Sequence, residues 1–305
     1  AAVIDEQHNF GVLQRKFLEE KAGAPHVLVM TATPIPRTLA LTLYGDLDQS
    51  VMRHAPSGRG RVHTLRMESG RPSEVMALVE EEIAKGRQAY WVCPTLKTSG
   101  KGALMPAVER FRRLSERLGP GRVDVIHGQL SSDEKKGVMS RFGRGEIKLL
   151  VATTVIEVGL DVANATVMVI ENAERFGLSQ LHQLRGRIGR SKHESFCVLV
   201  SAAENSAAEE RLTAFCELES GFDVAEEDLK FRGPGDCLGS RQHGAPQIRI
   251  GDLIRDTSIL VAAREDARRL VESDPALSRP EHALLLRELK RRSERVSAQA
   301  IEAKR

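Results

Sequence analysis

From Pro72 onward the sequence alternates between helical patterns and short apolar runs, and this rhythm constrains the fold more than any other feature. A helical stretch, "SEVMALVEEEIAKG", precedes the buried-strand run "QAYWVCP". An arginine-rich helix, "AVERFRRLSERLG", leads to the strand "VDVIHG", and "SSDEKKGVMSRFGRG" leads to "IKLLVATT" and "ATVMVIENA". Strands separated by helices need crossovers, which are right-handed, so the pattern predicts a doubly wound parallel α/β sheet. Residues 1–48 show the same rhythm in "AAVI", a helical stretch near Val12 to Lys21, and "HVLVMTAT", but they are too short to make a domain. Between the two lies "RHAPSGRGRVHTLRMESGRP", whose Arg, Gly, Pro and Ser read as a connection between domains, a composition equally compatible with a solvated loop. After "FCVLVS" the chain turns helical, passes a turn-rich "KFRGPGDCLGSRQHG", and ends in a long charged helical tail from about Asp252.

A length of 305 residues suggests two domains. Aromatic residues are only 4% of the chain, which argues against an aromatic-lined carbohydrate groove. The formal charge of +3 is small, so any affinity for nucleic acid must come from local arginine clusters. Cys93, Cys197, Cys216 and Cys237 form no C-x-x-C pair, which indicates neither a zinc site nor a disulfide framework and suits a reducing cytoplasm. No apolar run reaches the ~18 residues of a membrane span. The first residue is not Met and lies inside a strand-like run, so a fragment of a longer protein is expected.

Several segments carry residue types suited to phosphate chemistry. Asp5 and Glu6 end the apolar run "AAVI"; a strand-end Asp can hold magnesium and a neighbouring acid can orient water, although such pairs also cap helices. "TATPIPR", residues 31–37, places Thr31, Thr33 and Arg37 after a strand, with prolines delaying the next helix, and alone it reads as a capped turn. "VIHGQLSSDEK" sets His127 and Gly128 after a strand, with Ser131 or Ser132 as a helix cap. "VATTVIEVGLD" offers Thr153 and Thr154 at a strand tip, then Gly159 and Asp161. "QLHQLRGRIGRS" interleaves Arg185, Arg187 and Arg190 with Gly186 and Gly189, so that guanidinium forks can meet a polyphosphate closely.

The order of these segments is specific. "VIDEQH", "VMTATPIPRTLALTLYGDLD", "VIHGQLSSDEK", "VATTVIEVGLDVANATVMVIENAERFGLSQLHQLRGRIGRS" and "FRGPGDCLGSRQHG" together resemble the carboxyl-terminal half of the bacterial RecG family, ATP-dependent DNA helicases of superfamily 2. The resemblance covers nearly the whole chain and weakens in the last few dozen residues. It implies a RecA-like doubly wound sheet as the second motor domain (72–203), preceded by the end of a first motor domain (1–52) and a linker (53–71). A translocation hairpin and loop (204–250) and a helical tail (251–305) would follow.

The same resemblance implies the site residues. Asp5, for magnesium, and Glu6, for water, would be catalytic, with Arg187 and Arg190 as arginine fingers. Gly159, Asp161 and Gln183 would contact nucleotide. Thr31, Thr33, Arg37, His127, Gly128, Thr153 and Thr154 would couple nucleotide state to DNA, as would Arg211, Arg232 and Gln242 of the translocation segment. Implied cofactors are ATP and magnesium. The implied partners are duplex and branched DNA such as stalled forks and Holliday junctions, with a monomeric motor, no membrane, and a bacterial cytoplasmic setting. No G-x-x-x-x-G-K-[ST] occurs; "TSGKGALM" lacks the spacing and the hydroxyl, so the phosphate-binding loop is expected before Ala1 and the isolated chain is expected to be inactive. Without their sheet neighbours, the apolar strands of residues 1–48 are expected to expose edges, and this portion is expected to be poorly ordered or engaged in a non-native contact. Two alternatives remain at this stage: a coupling-factor relative that acts on stalled RNA polymerase, and a non-catalytic DNA-binding module.

Overall fold

A computed structural model gives the fold. It describes residues 1–5, 26–31, 48, 50–52, 58–94, 105–153, 162–202, 206–237 and 255–291, with backbone alone at 105, 206, 232–237 and 257. Two compact units are distinguished, residues 1–34 with 51–225 and residues 35–50 with 226–305.

The first unit is organised by a six-stranded, wholly parallel sheet in the order β3-β8-β7-β4-β6-β5. Its strands are β3 (Val62–Glu68), β4 (Gln88–Val92), β5 (Val123–Ile126), β6 (Leu149–Ala152), β7 (Ala165–Glu171) and β8 (Ser195–Ser201). Parallel strands cannot be joined by tight hairpins, and helices α1 (Pro72–Ala84), α2 (Met105–Leu118), α3 (Ser132–Gly143) and α4 (Leu178–Arg185) lie in four of the five connections. Local chemistry sets their ends. Pro72 opens α1 in its first turn, where its missing N–H costs nothing, and Gly86 (φ +83°) follows its last residues. Ser131 and Glu134 form a reciprocal capping box at the start of α3.

Period-two alternation sends each central strand to two separate cores. Leu150, Ala152, Met168 and Ile170 pack with Phe142 of α3 and with Leu178, Leu181 and Leu184 of α4. Their neighbours Leu149, Val151, Val167 and Val169 pack with Val75, Val79 and Ile83 of α1 and Leu114 of α2. Both faces are therefore covered, as an all-parallel sheet requires.

β3 departs from the expected domain boundaries. Residues 53–71 are expected as linker, yet Val62–Glu68 pairs along its whole length with β8, from Val62↔Ser195 to Glu68↔Ser201. This is an edge strand, and its alternation of Val62, Thr64 and Arg66 with His63 and Leu65 lacks the continuous apolar run of the buried strands. The segment before it is held as well: Gly60 N–H donates to the Ser191 carbonyl, and Ser195 N–H to the Arg61 carbonyl.

Near the amino terminus, β1 (Ala2–Ile4) and β2 (Val27–Val29) form a separate parallel pair. Val3 and Leu28 are more than half exposed while Ile4 is buried. The regular parallel pairing of these two strands differs from the expectation of poor order.

After β8 come α5 (Ser206–Glu217) and α6 (Gly221–Cys237), joined by residues 218–220. The backbone of α6 stays helical through Arg232, Gly233, Pro234 and Gly235, where the sequence predicts a turn. Proline's fixed φ suits a helix, and its missing N–H forfeits the bond to the residue 230 carbonyl. In the second unit the tail is not one helix. α7 (Thr257–Ser273) ends at Asp274, whose carboxylate accepts from Ser278 N–H, Ser278 Oγ and Arg279 N–H and meets His282 Nδ1 at 2.7 Å. These bonds, led by that from Arg279, hold the Asp274 carboxyl far below the usual range. A helical run over residues 283–291 follows.

Glu82 on α1 is almost fully buried and accepts from Lys85 (2.8 Å), Arg87 (2.6 Å) and Thr166 Oγ1 (3.0 Å). Burial pushes its carboxyl up, but these donors outweigh it and the result lies below the ordinary value. Glu82→Gln is expected to cost about 1–3 kcal/mol at pH 7, because it weakens two charge-assisted bonds in a buried site. A carboxylate with a depressed native pKa stabilises above the normal carboxylate range and loses that contribution as pH falls through it. Urea unfolding at pH 7 and near pH 4 checks this: the gap between variant and wild type narrows in acid.

Candidate functional site

In a parallel sheet all strands deliver their following residues to one edge, and ligands bind in the crevice outside those carboxyl ends. Cys93, His127, Thr153 and Glu171 stand at the ends of β4, β5, β6 and β7. Thr153 is buried, and its N–H donates to the Ile126 carbonyl at 3.2 Å, which closes the β5 and β6 tips together. His127 is half-buried, with Nδ1 shielded from solvent and no hydrogen-bond partner among the described residues. Gly128 is exposed, and its carbonyl accepts from Lys135 Nζ at 3.0 Å. Of the two candidate caps it is Ser131 that serves, accepting from Glu134 N–H at 3.2 Å while Glu134 Oε2 accepts from Ser131 N–H at 2.7 Å. Hydrogen bonds from Ser131 lower the Glu134 pKa.

A second cluster at this edge is not evident from the sequence. Glu171 accepts from Cys93 Sγ at 3.5 Å and pairs with Arg110, whose guanidinium lies 5.3 Å from the Trp91 ring centre. Burial first, and then the Glu171 charge, push the Cys93 thiol far up, so it is a packed group and not a nucleophile.

On the strand pair, Asp5 follows β1 and Thr31 stands just beyond β2; the bond from Met30 N–H to the Ile4 carbonyl (2.7 Å) sets both at the same carboxyl edge. Both residues are exposed. Glu6, Thr33, Arg37, Thr154, Gly159, Asp161 and Gln242 lie outside the described residues, as does the side chain of Arg232.

Gln183 lies on the last turn of α4, and Arg187 and Arg190 lie on the loop after it. The chain reverses there through Arg187 N–H to Leu184 O (2.9 Å) and Ile188 N–H to Arg185 O (3.2 Å). Arg190 Nε donates to the Gly186 carbonyl at 3.0 Å. Gly189 adopts φ +72°, and a Cβ there would stand 2.4 Å from Val62 Cγ2; a Cβ on Gly60 would stand 1.9 Å from the His193 carbonyl oxygen. These two glycines let the arginine loop lie directly on the start of β3.

Arg185 separates from its neighbours. Only 7% exposed, it points inward and donates to Thr64 Oγ1 (3.2 Å), the Phe215 carbonyl (3.4 Å) and the Glu219 carbonyl (3.4 Å). It also contacts His182 Nδ1 (3.2 Å) and stacks 4.3 Å from the centre of the Phe215 ring. Burial, and then the Arg185 charge, push His182 down to about 4, so its ring is neutral at pH 7 and Nδ1 accepts. Of the three arginines interleaved with glycine, one therefore belongs to the interior. Arg211 on α5 donates through Nη2 to the Glu174 carbonyl at 2.6 Å, which ties α5 to the short 3-10 turn Ala173–Arg175. No group of three or more potential metal-ligating side chains occurs among the described residues.

Comparison with known proteins agrees with this geometry. Residues 72–192 match the family described as the helicase conserved C-terminal domain, and residues 218–301 match ATP-dependent DNA helicase RecG, domain 3, C-terminal. The chain is 46% identical over 288 residues to the ATP-dependent DNA helicase RecG of Bacillus subtilis, covering 94% of this chain and 42% of that protein. The chain is similar to the carboxyl-terminal part of RecG helicases. A RecG of Synechocystis is 48% identical over 276 residues, covering 90% of this chain and 33% of the relative. The chain thus spans less than half the length of these RecG proteins. Among solved structures, a RecG bound to a three-way DNA junction is 45% identical with a TM-score of 0.65, over 85% of this chain and 33% of that one. The helicase MrfA bound to DNA, at 19% identity and a TM-score of 0.51 over 74% of this chain and 35% of that one, shares the fold. The match of residues 218–301 favours the RecG family over the coupling-factor alternative.

Gly189→Ala is expected to destabilise the chain by about 1–2 kcal/mol, from left-handed backbone strain together with the Val62 clash. Thermal unfolding would register this as a Tm several degrees lower; an unchanged Tm would mean that the loop does not need this close approach.

Proposed function

We propose that this chain is the carboxyl-terminal part of an ATP-dependent translocase that moves on duplex DNA and remodels branched DNA. The supporting observation is 46% identity to the Bacillus subtilis RecG sustained over 94% of the chain. In this reading residues 72–203, with β3, form the second motor domain, residues 1–52 the end of the first, and 204–250 the translocation element. The setting is the bacterial cytoplasm and the motor acts as a monomer.

ATP hydrolysis needs charge neutralised on the transferring phosphoryl group. Arg187 and Arg190 supply it from the loop after α4, and Gln183 contacts the nucleotide from the same turn. Asp5, exposed at a strand's carboxyl end, is the kind of single carboxylate that suffices for magnesium, which keeps several waters and takes its other ligands from nucleotide phosphates. Glu6 orients the attacking water; Gly159 and Asp161 complete the nucleotide contacts. Magnesium, when bound, screens the phosphate charge. His127, Gly128, Thr153 and Thr154 face DNA from the strand tips, while Thr31, Thr33 and Arg37 relay nucleotide state to that grip. Arg211, Arg232 and Gln242 convert domain movement into translocation.

Two substitutions in the parent protein separate these roles. Arg190→Ala is expected to lower DNA-stimulated ATP hydrolysis by on the order of 10³. Arg232→Ala is expected to keep hydrolysis and lose unwinding of a branched substrate. A normal ATPase rate in the first, or normal unwinding in the second, removes the corresponding role.

A further inference from the structure

We propose that Arg185 is a positioning residue that locks the arginine loop to helix α5, so that a shift of Arg187 and Arg190 is transmitted to the segment beginning at residue 206. The proposal rests on the motor reading above and assigns a role to a residue which that reading leaves unused.

Arg185 ends α4, and Arg187 lies two residues on, so whatever fixes its guanidinium fixes the root of the arginine loop. The guanidinium spans three other parts of the chain. Thr64 belongs to β3, the Phe215 carbonyl to the last turn of α5, and the Glu219 carbonyl to the turn before α6. Carbonyls in the last turn of a helix have no partner within the helix, and that end of the macrodipole favours a cation. Burial opposes the charge and lowers the Arg185 pKa, while the carbonyl acceptors and the Phe215 face give the guanidinium partners in the interior.

α5 is held at a second point by the same stretch of chain. Arg211 donates to the Glu174 carbonyl, on the turn that leads into α4. Between the two anchors, Leu178, Leu181 and Leu184 of α4 and Leu212 and Phe215 of α5 are fully buried in one core. Residues 173–190 and helix α5 therefore form a close-packed body that transmits displacement instead of absorbing it.

The geometry asks for arginine specifically. A planar fork reaches several acceptors at once while its carbon sits over the Phe215 ring; a lysine ammonium keeps the charge but loses the fork and its match to that face. Arg185→Lys therefore tests geometry at constant charge. The measurement is ATP turnover and base pairs unwound per ATP on a branched DNA, with Tm, in the full-length parent protein. The comparison is with Ile147→Val, a core substitution in the same hydrophobic cluster but at the amino end of β6. Arg185→Lys is expected to keep ATP turnover within about twofold and to lower base pairs unwound per ATP by about tenfold, whereas Ile147→Val leaves the ratio unchanged. A wild-type ratio in Arg185→Lys, or a ratio that falls equally in Ile147→Val, overturns the proposal. If Arg185→Lys does not fold, Thr64→Val, which removes one acceptor, is expected to lower the ratio part-way, and a wild-type ratio there overturns the proposal instead. Wild-type protein without DNA-stimulated hydrolysis would remove the motor reading itself, an outcome distinct from failure of the Arg185 role alone.

Discussion

Every strand of the six-stranded sheet runs in the same direction, and much of the molecule follows from that. Parallel strands need long crossovers, four of the five connections carry helices among the described residues, and helices on both faces demand that the central strands be apolar on both sides. Leu149 to Ala152 and Val167 to Ile170 meet that demand with unbroken buried runs that alternate between two cores. The same constraint gathers all the strand ends along one edge. His127, Thr153 and Glu171 stand there because their strands end there, whatever chemistry they serve.

The arginine loop after α4 shows how tightly this framework restricts the polar residues attached to it. Three arginines within six positions look interchangeable as charges, yet the last helical turn directs Arg185 into the core, while Arg187 and Arg190 remain half-buried on the loop. Leu181 and Leu184 lie on the buried face of α4, and Arg185, adjacent to Leu184, falls on its flank. A buried guanidinium is tolerated because helix-end carbonyls, a neutral histidine nitrogen and an aromatic face surround it. Gly60 and Gly189 let β3 approach from the other side, which makes the start of β3 part of the loop's support.

The sequence was most legible where periodicity is strong. The buried strands, helices α1 to α3 and the parallel topology follow from alternating apolar runs and helical stretches; a cap at Ser131 or Ser132 was legible too, and the choice of Ser131 comes from its bonds with Glu134. β3 was missed because an edge strand need not be apolar throughout, and "VHTLRME" lies within an arginine- and glycine-rich stretch that resembles a linker. The helical course of Arg232 to Gly235 was missed because Gly-Pro-Gly is ordinarily turn chemistry. The break at Asp274 was missed because its cause is a set of bonds to Ser278, Arg279 and His282 that no charge pattern reveals. The inward role of Arg185 depends on acceptors from residues 64, 215 and 219, which spacing within "QLRGRIGRS" cannot show. For the candidate site, motif order pointed to the arginines and strand tips; their roles rest on the family, because phosphate and DNA contacts involve partners outside the chain's own packing.

The most direct test of the account is ATP hydrolysis by this 305-residue chain, with and without branched DNA. The account predicts no turnover in either condition, since the sequence holds no G-x-x-x-x-G-K-[ST] phosphate-binding loop. Robust DNA-stimulated turnover by the purified chain would contradict it, because such activity would require a complete nucleotide site within these residues.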